Sequence, residues 1–195
     1  MATTATPSGA EPVNTLSASG SFSGKVRHIK IASNYNTAIF YGDFVKLVAS
    51  GTVEKSAVTT AVVAGTVGIF MGCSFTDPTT SQLTFSQHYP ASTVASDIAA
   101  LVCDDPKLLF LMQGDEAIAQ TGLGNNVSAV NTAGSTSIGR SRNALDGGSV
   151  ATTNSLPLRI VDFVDGPNST VGDAFTDCLV TYLPLSHAYE TKLGV

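Results

Sequence analysis

Tryptophan is absent, and charged side chains make up only 13% of the chain, about half the roughly 25% usual in a soluble globular domain. A surface poor in charge and rich in Ser, Thr, Ala, Val and Gly suits a protein that packs against neighbours. The ten Lys and Arg residues are scattered, "KVRHIK" at 25–30 being the densest group, and the net charge is −5. Phosphate binding needs several convergent cations, so nucleic acid is not an expected partner. The charges of "KVRHIK" read instead as the solvated part of an edge strand, where lysine discourages pairing with other chains.

Cysteine is scarce too. Cys73, Cys103 and Cys178 are odd in number and far apart, so they make neither a CxxC pair nor a disulfide framework. Each sits in an apolar run, "IFMGCSF", "ALVCDD" and "TDCLVTY". Buried, reduced thiols of a chain made in a reducing cytoplasm are expected. The opening "MATTATPSGAEPVN" has no basic region followed by an apolar core, so a signal peptide is not expected. No apolar run reaches the roughly 18 residues of a membrane span, and the sequons at Asn126 and Asn168 read as accidental.

Motifs of catalysis are missing as well. His28, His88 and His187 lie far apart, with no HxH or HExxH spacing. "QTGLGNN" at 120–126 lacks the lysine of a phosphate loop, and no G-x-S-x-G elbow selects one serine among many. No catalytic residue, metal or cofactor is expected, and the chain does not read as an enzyme. The strongest temptation is "ALVCDDPKLLFLMQGD" at 100–115, with three aspartates around an apolar run. Adjacent residues of a strand point to opposite faces, so Asp104 and Asp105 do not form a dyad there. Asp before Pro106 is turn chemistry. The stretch reads as a strand, a corner and a second strand, with Leu108 to Met112 buried.

What is present is β pattern. The 195 residues suffice for one domain with a sizeable core or for two small ones. Residues 1–24, rich in Thr, Ser, Ala, Gly and Pro, read as an extended N-terminal arm with Val13, Leu16 and Phe22 as its only apolar anchors. Such an arm is expected to be disordered alone and ordered by a partner. Residues 25–195 read as a β-rich domain, either one unit or a small β-barrel over 25–95 followed by a second β subdomain over 96–195. Strand segments are expected at 25–32, at 37–50 about Gly42-Asp43, at "TVEKS", at 66–77 with Gly68 and Gly72 as bulges, and at "LTFSQHY". Further strands are expected at 96–104, with Leu101 and Val102 inside, and at 107–113, 156–164 and 174–185. Residues 114–156 read as a long irregular excursion with small strands or one helical turn. The class is therefore all-β, with short antiparallel strands in a β-barrel or sandwich. In "GRSRN", Arg140 and Arg142 at i, i+2 share a face of an extended segment, where they could clamp a carboxylate of a neighbouring chain or equally be solvated.

The order "NTAIFYGDFVKLVASGTVEKS…AGTVGIFMGCSFTDP" resembles small head decoration (cement) proteins of tailed phages, such as the podovirus-like phages of marine bacteria. These carry a Gly-Asp-Pro-Val-x-Leu…Gly-x-Val…Val-Gly-Val-Phe-x-Gly arrangement in a short β-barrel. The matching residues are Gly42, Asp43, Val45, Leu47, Gly51, Val53, Val67, Gly68, Phe70 and Gly72, with Phe44 where proline is common. The likeness spans roughly residues 37–195. It implies a virion protein on the capsid exterior, bound to the major capsid protein and to itself as a dimer or trimer, stabilising the shell by bridging subunits. Val13, Leu16, Phe22, Arg140 and Arg142 are then the candidate capsid contacts. The competing reading is a carbohydrate-binding β domain of a phage fibre or tail, against which the lack of Trp and the five Tyr count.

Overall fold

Short runs of β-branched and aromatic residues, punctuated by Gly, Pro, Asn and Asp, favour extended backbone over helix. The computed structural model describes residues 4–17, 24–59, 65–184, 186–190 and 194. In chain order its strands are β1 (Glu11–Thr15), β2 (Arg27–Lys30), β3 (Ile39–Phe40), β4 (Phe44–Leu47), β5 (Val53–Lys55), β6 (Thr66–Thr76) and β7 (Leu83–Ser86). They continue as β8 (His88–Tyr89), β9 (Ala99–Cys103), β10 (Leu108–Gln113), β11 (Asn126–Val130), β12 (Ala144–Ala151), β13 (Leu158–Phe163) and β14 (Asp177–Tyr182). A 3₁₀ turn, Gln120–Gly122, interrupts them. Among the described residues no helix is long and apolar enough to cross a membrane.

The first sheet runs β1-β10-β14-β13-β11-β12, and the second runs β2-β9-β6-β4-β5 with β7 added to the far half of β6. β3 and β8 form a small third ladder, and every strand pair is antiparallel. An isolated bridge between Ile31 and Val53 brings the two ends of the second sheet together, but one bridge is not a ladder and no closed barrel results. The architecture is an all-β sandwich.

Two apolar clusters hold it. One lies between the sheets and joins Phe44, Ile69 and Cys103 of the second sheet to Leu108, Phe110, Met112, Leu145, Ile160, Val180 and Tyr182 of the first. The other fills the opposite face of the second sheet, where Val45, Val53, Val67, Phe70, Cys73, Phe75 and Val102 meet Ile39 and Tyr89 of the small ladder. The second sheet is thus apolar on both faces, which explains the near-continuous burial along β6.

Strict alternation would set Val67, Ile69, Met71, Cys73 and Phe75 on one side of β6. Instead Val67, Phe70, Cys73 and Phe75 share one core, while Ile69 and Met71 face the other. The ladder slips opposite Gly68, between Val45 and Lys46, and again between Phe70 and Gly72. These are the bulges expected from the two glycines. Each inserts a residue and reverses the phase of the strand. At Gly68 a Cβ would stand 2.1 Å from the Cys103 carbonyl oxygen and 2.9 Å from Val102 Cγ1. Gly68→Ala therefore forces β6 and β9 apart, and its expected cost is near the upper end of about 1–3 kcal/mol, measured as a lowered midpoint in urea. An unchanged midpoint would show that the ladder yields freely there.

Two expectations change. Residues 11–15 do not leave the body as an arm: β1 pairs with β10 from Glu11↔Leu111 to Thr15↔Leu108 and closes the edge of the first sheet. Low apolar content does not prevent this, because β10 supplies the backbone partners. The excursion 114–156 holds small strands as expected, β11 and β12, paired with each other, together with the 3₁₀ turn. In β9 Val102 is buried as expected, while Leu101 is only half-buried.

Candidate functional site

The N-terminal segment is bound to both sheets. Leu16 N–H donates to Lys107 O at 2.8 Å, Ala10 N–H to Gly42 O at 2.9 Å and Gly9 N–H to Asn143 O at 3.2 Å. Val13 and Leu16 nevertheless stay 42% and 47% exposed, so they remain available to a partner. Phe22 lies outside the described residues. Arg140 and Arg142 line a groove of ≈ 470 Å³ with Ala5, Pro7, Ser8 and Ile138. Arg140 faces the carboxylate of Glu11 of the same chain, at 3.8 Å, and its guanidinium lies 5.2 Å from the centre of the Tyr41 ring. Arg142 is exposed, while Ser141 between them turns inward. The structure thus brings β1, Arg140 and Arg142 to one side of the molecule, and Arg140 is already partly engaged there.

Ser141 leads to a site that the sequence did not suggest. Asp43 is fully buried. Its Oδ2 accepts Phe40 N–H at 2.9 Å and lies 2.8 Å from Lys55 Nζ. Its Oδ1 accepts Ser141 Oγ–H at 2.7 Å and Asn143 Nδ2–H at 3.1 Å. A buried carboxylate is tolerated only when its lone pairs are filled in this way. The turn before it is pinched: at Gly42 (φ +88°) a Cβ would lie 2.9 Å from Ser8 O, so only glycine lets the N-terminal segment cross there. Asp43 was legible as a turn residue, but its partners stand up to 100 positions away in the chain.

The Cys103–Pro106 corner is a corner, and its two aspartates part company. Asp105 accepts Lys107 N–H at 2.8 Å and the Thr15 hydroxyl at 3.2 Å. Asp104 is buried, pairs with Arg27 and accepts the Tyr189 hydroxyl at 3.1 Å. His187 stacks edge-on against Tyr182 and Tyr189, with ring centres 5.2 and 5.1 Å away. All three cysteines are free and buried, and burial pushes the Cys73 and Cys178 thiols to about 12 and that of Cys103 to about 11. Thiolates so disfavoured are poor nucleophiles.

His187 carries a pH prediction. Burial lowers its imidazole below the ordinary 6.5, although the Val67 backbone and the carboxylates of Glu190, Asp104 and Asp105 oppose the shift. The unfolded chain takes up a proton near 6.5, whereas the folded chain takes it up only at lower pH. This contribution to stability is complete above 6.5 and is lost as pH falls from there toward the folded value. The neutral ring also accepts Tyr189 N–H through Nδ1 at 3.3 Å, which protonation would abolish. Urea midpoints on either side of 6.5 are expected to differ less in His187→Gln than in the parent chain. Equal slopes in the two proteins would refute the assignment.

One acidic group was not foreseen. Asp115, at the end of the stretch 100–115, joins Glu116 and Asp146 with carboxylate oxygens within 4.8 Å of one another. Asp115 and Glu116 are exposed and Asp146 is half-buried, so water can solvate all three without an ion. Comparison with family models, curated proteins and solved structures returns no match.

Proposed function

We infer that the chain is a capsid decoration protein, set on the outside of a phage head where it bridges major capsid protein subunits. The observation that supports this reading best is an unguarded apolar edge. Edge strands normally carry charge or proline against unwanted pairing. β2 has Arg27 and Lys30, β1 has Pro12, and β5 has Glu54 and Lys55. β7, "LTFS", has neither charge nor proline, and its Leu83 and Phe85 are 62% and 75% exposed. Val94 and Ile138 are also largely exposed. Apolar surface of this kind in a chain with so little charge is better explained by a binding partner than by free solution.

The mechanism is linkage. A protein that binds across a joint must be displaced before the joint opens, so the shell is stabilised in proportion to that binding. Self-association as a dimer or trimer would add attachment points and avidity. The test is to add the purified chain to heads assembled without it and measure copies bound per particle. Hundreds of copies are expected, with lower occupancy for a Leu83→Lys/Phe85→Lys variant whose fold is intact. No binding, or only a handful of copies at one vertex, would refute the decoration reading.

A further inference from the structure

Asp43 stands between two side chains of complementary reactivity. It holds the Lys55 amine on Oδ2 at 2.8 Å and the Asn143 carboxamide nitrogen on Oδ1 at 3.1 Å. Asp43 and Asn143 are fully buried, and the Lys55 side chain is 19% exposed. The carboxamide oxygen of Asn143 accepts Thr132 N–H at 3.0 Å, a fixed donor placed where negative charge would develop. The Phe40 ring, its centre 5.9 Å from Lys55 Nζ, covers the amine. An amine, an amide polarised by a backbone donor and a carboxyl group touching both therefore meet at a site that is closed to water except along the partly exposed Lys55 side chain.

The geometry points to a self-catalysed amide bond between Lys55 Nζ and Asn143 Cγ, formed with loss of ammonia once folding has brought the two together. Lys55 first gives a proton to the Asp43 carboxylate. The freed nitrogen lone pair attacks Cγ and forms the new C–N bond, and the carbonyl electron pair moves onto Oδ1, where Thr132 N–H stabilises it. The Asp43 carboxyl then protonates Nδ2 and accepts a proton from the newly bonded Lys55 nitrogen. Collapse of the intermediate breaks the Cγ–Nδ2 bond and restores the carbonyl. Ammonia departs, and the remaining proton stays on Asp43 or leaves with it as ammonium. No oxidant, metal or second molecule is required. The entropy of bringing the groups together is supplied by the fold.

Ser141 is a positioning residue in this scheme. Its hydroxyl donates to Asp43 Oδ1 at 2.7 Å and accepts Asn143 N–H at 3.1 Å, fixing the carboxylate and the amide relative to each other. The bond would join the end of β5 in the second sheet to the start of β12 in the first, so the two sheets could not be pulled apart without breaking a covalent link. It does not depend on what the chain binds.

Intact-mass spectrometry of the folded full-length chain tests the proposal. The expected mass is one ammonia below the sequence sum, and a tryptic digest is expected to yield the Lys55 and Asn143 peptides joined. Lys55→Arg keeps a cation against Asp43 but cannot make the amide, so it is expected at full mass and with a lower melting temperature. Asp43→Asn is also expected at full mass; should it fail to fold, the Lys55→Arg result stands by itself. A wild-type chain at full mass overturns the proposal. So does an ammonia loss that persists in Lys55→Arg, since that would place the chemistry at another asparagine.

Discussion

Replacing Asp43 by alanine is expected to lower stability by about 3–5 kcal/mol, the usual cost of removing one partner from a buried charge pair. The carboxylate is fully buried and accepts from Phe40 N–H, Ser141 Oγ–H and Asn143 Nδ2–H while facing Lys55 Nζ. Alanine leaves four donors without an acceptor. Lys55 can recover some hydration because its side chain is 19% exposed. Asn143 and the Phe40 amide cannot, since both residues are buried, and an unsatisfied buried donor carries its full desolvation cost. A covalent link between Lys55 and Asn143 would add to the loss, because the variant could not make it. Urea titration of the two proteins is the measurement. A loss below about 1 kcal/mol would mean that water replaces the carboxylate at no great cost, and that the network is not a structural centre.

Phe110→Ala is the second large effect. Phe110 is fully buried at the middle of β10, between β1 and β14. Its ring packs edge-on to Phe44, with centroids 5.7 Å apart, and at a tilt to Tyr182, 5.2 Å away. Phe44 comes from the second sheet, so this trio is the aromatic part of the contact between the sheets. Truncation removes the ring and leaves a cavity that β-ladders on both sides prevent from closing, for an expected loss of about 3–5 kcal/mol. Phe110→Leu, which keeps most of the volume, is expected to lose much less. Thermal melts of the three proteins separate the cavity from the lost aromatic contact. If alanine and leucine lose equally, ring geometry rather than volume governs the site.

Much of the fold could be read before the structure. The strand segments flanking Gly42-Asp43, the bulges at Gly68 and Gly72, and the pair of strands around Cys103–Pro106 follow from local chemistry. Branched residues favour extended backbone, glycine permits a bulge, and Asp-Pro ends a run. The burial of the cysteines followed from their apolar neighbours in the same way. Residues 11–15 and 126–151 were harder. "EPVNT" has one large apolar residue, and "ALDGGSVA" carries two adjacent glycines. Neither has strand character of its own. β1 forms because β10 offers it a ladder, and β12 because β11 does.

The candidate sites divide along the same line. Val13, Leu16, Arg140 and Arg142 were named from composition and spacing, and the structure places them on the surface, with Glu11 of the same chain as Arg140's neighbour. The Asp43 network and the Asp115–Glu116–Asp146 cluster were invisible, since their members are drawn from separate segments. By itself the sequence determined the class of the protein, all-β with reduced thiols and a surface short of charge, because periodicity and composition act over a few residues at a time. Only the tertiary structure decided that Lys55 and Asn143 share one carboxylate and that the N-terminal segment is an edge strand. Those contacts are made by pairing between sheets, which depends on register and on burial across long chain separations that no local pattern encodes.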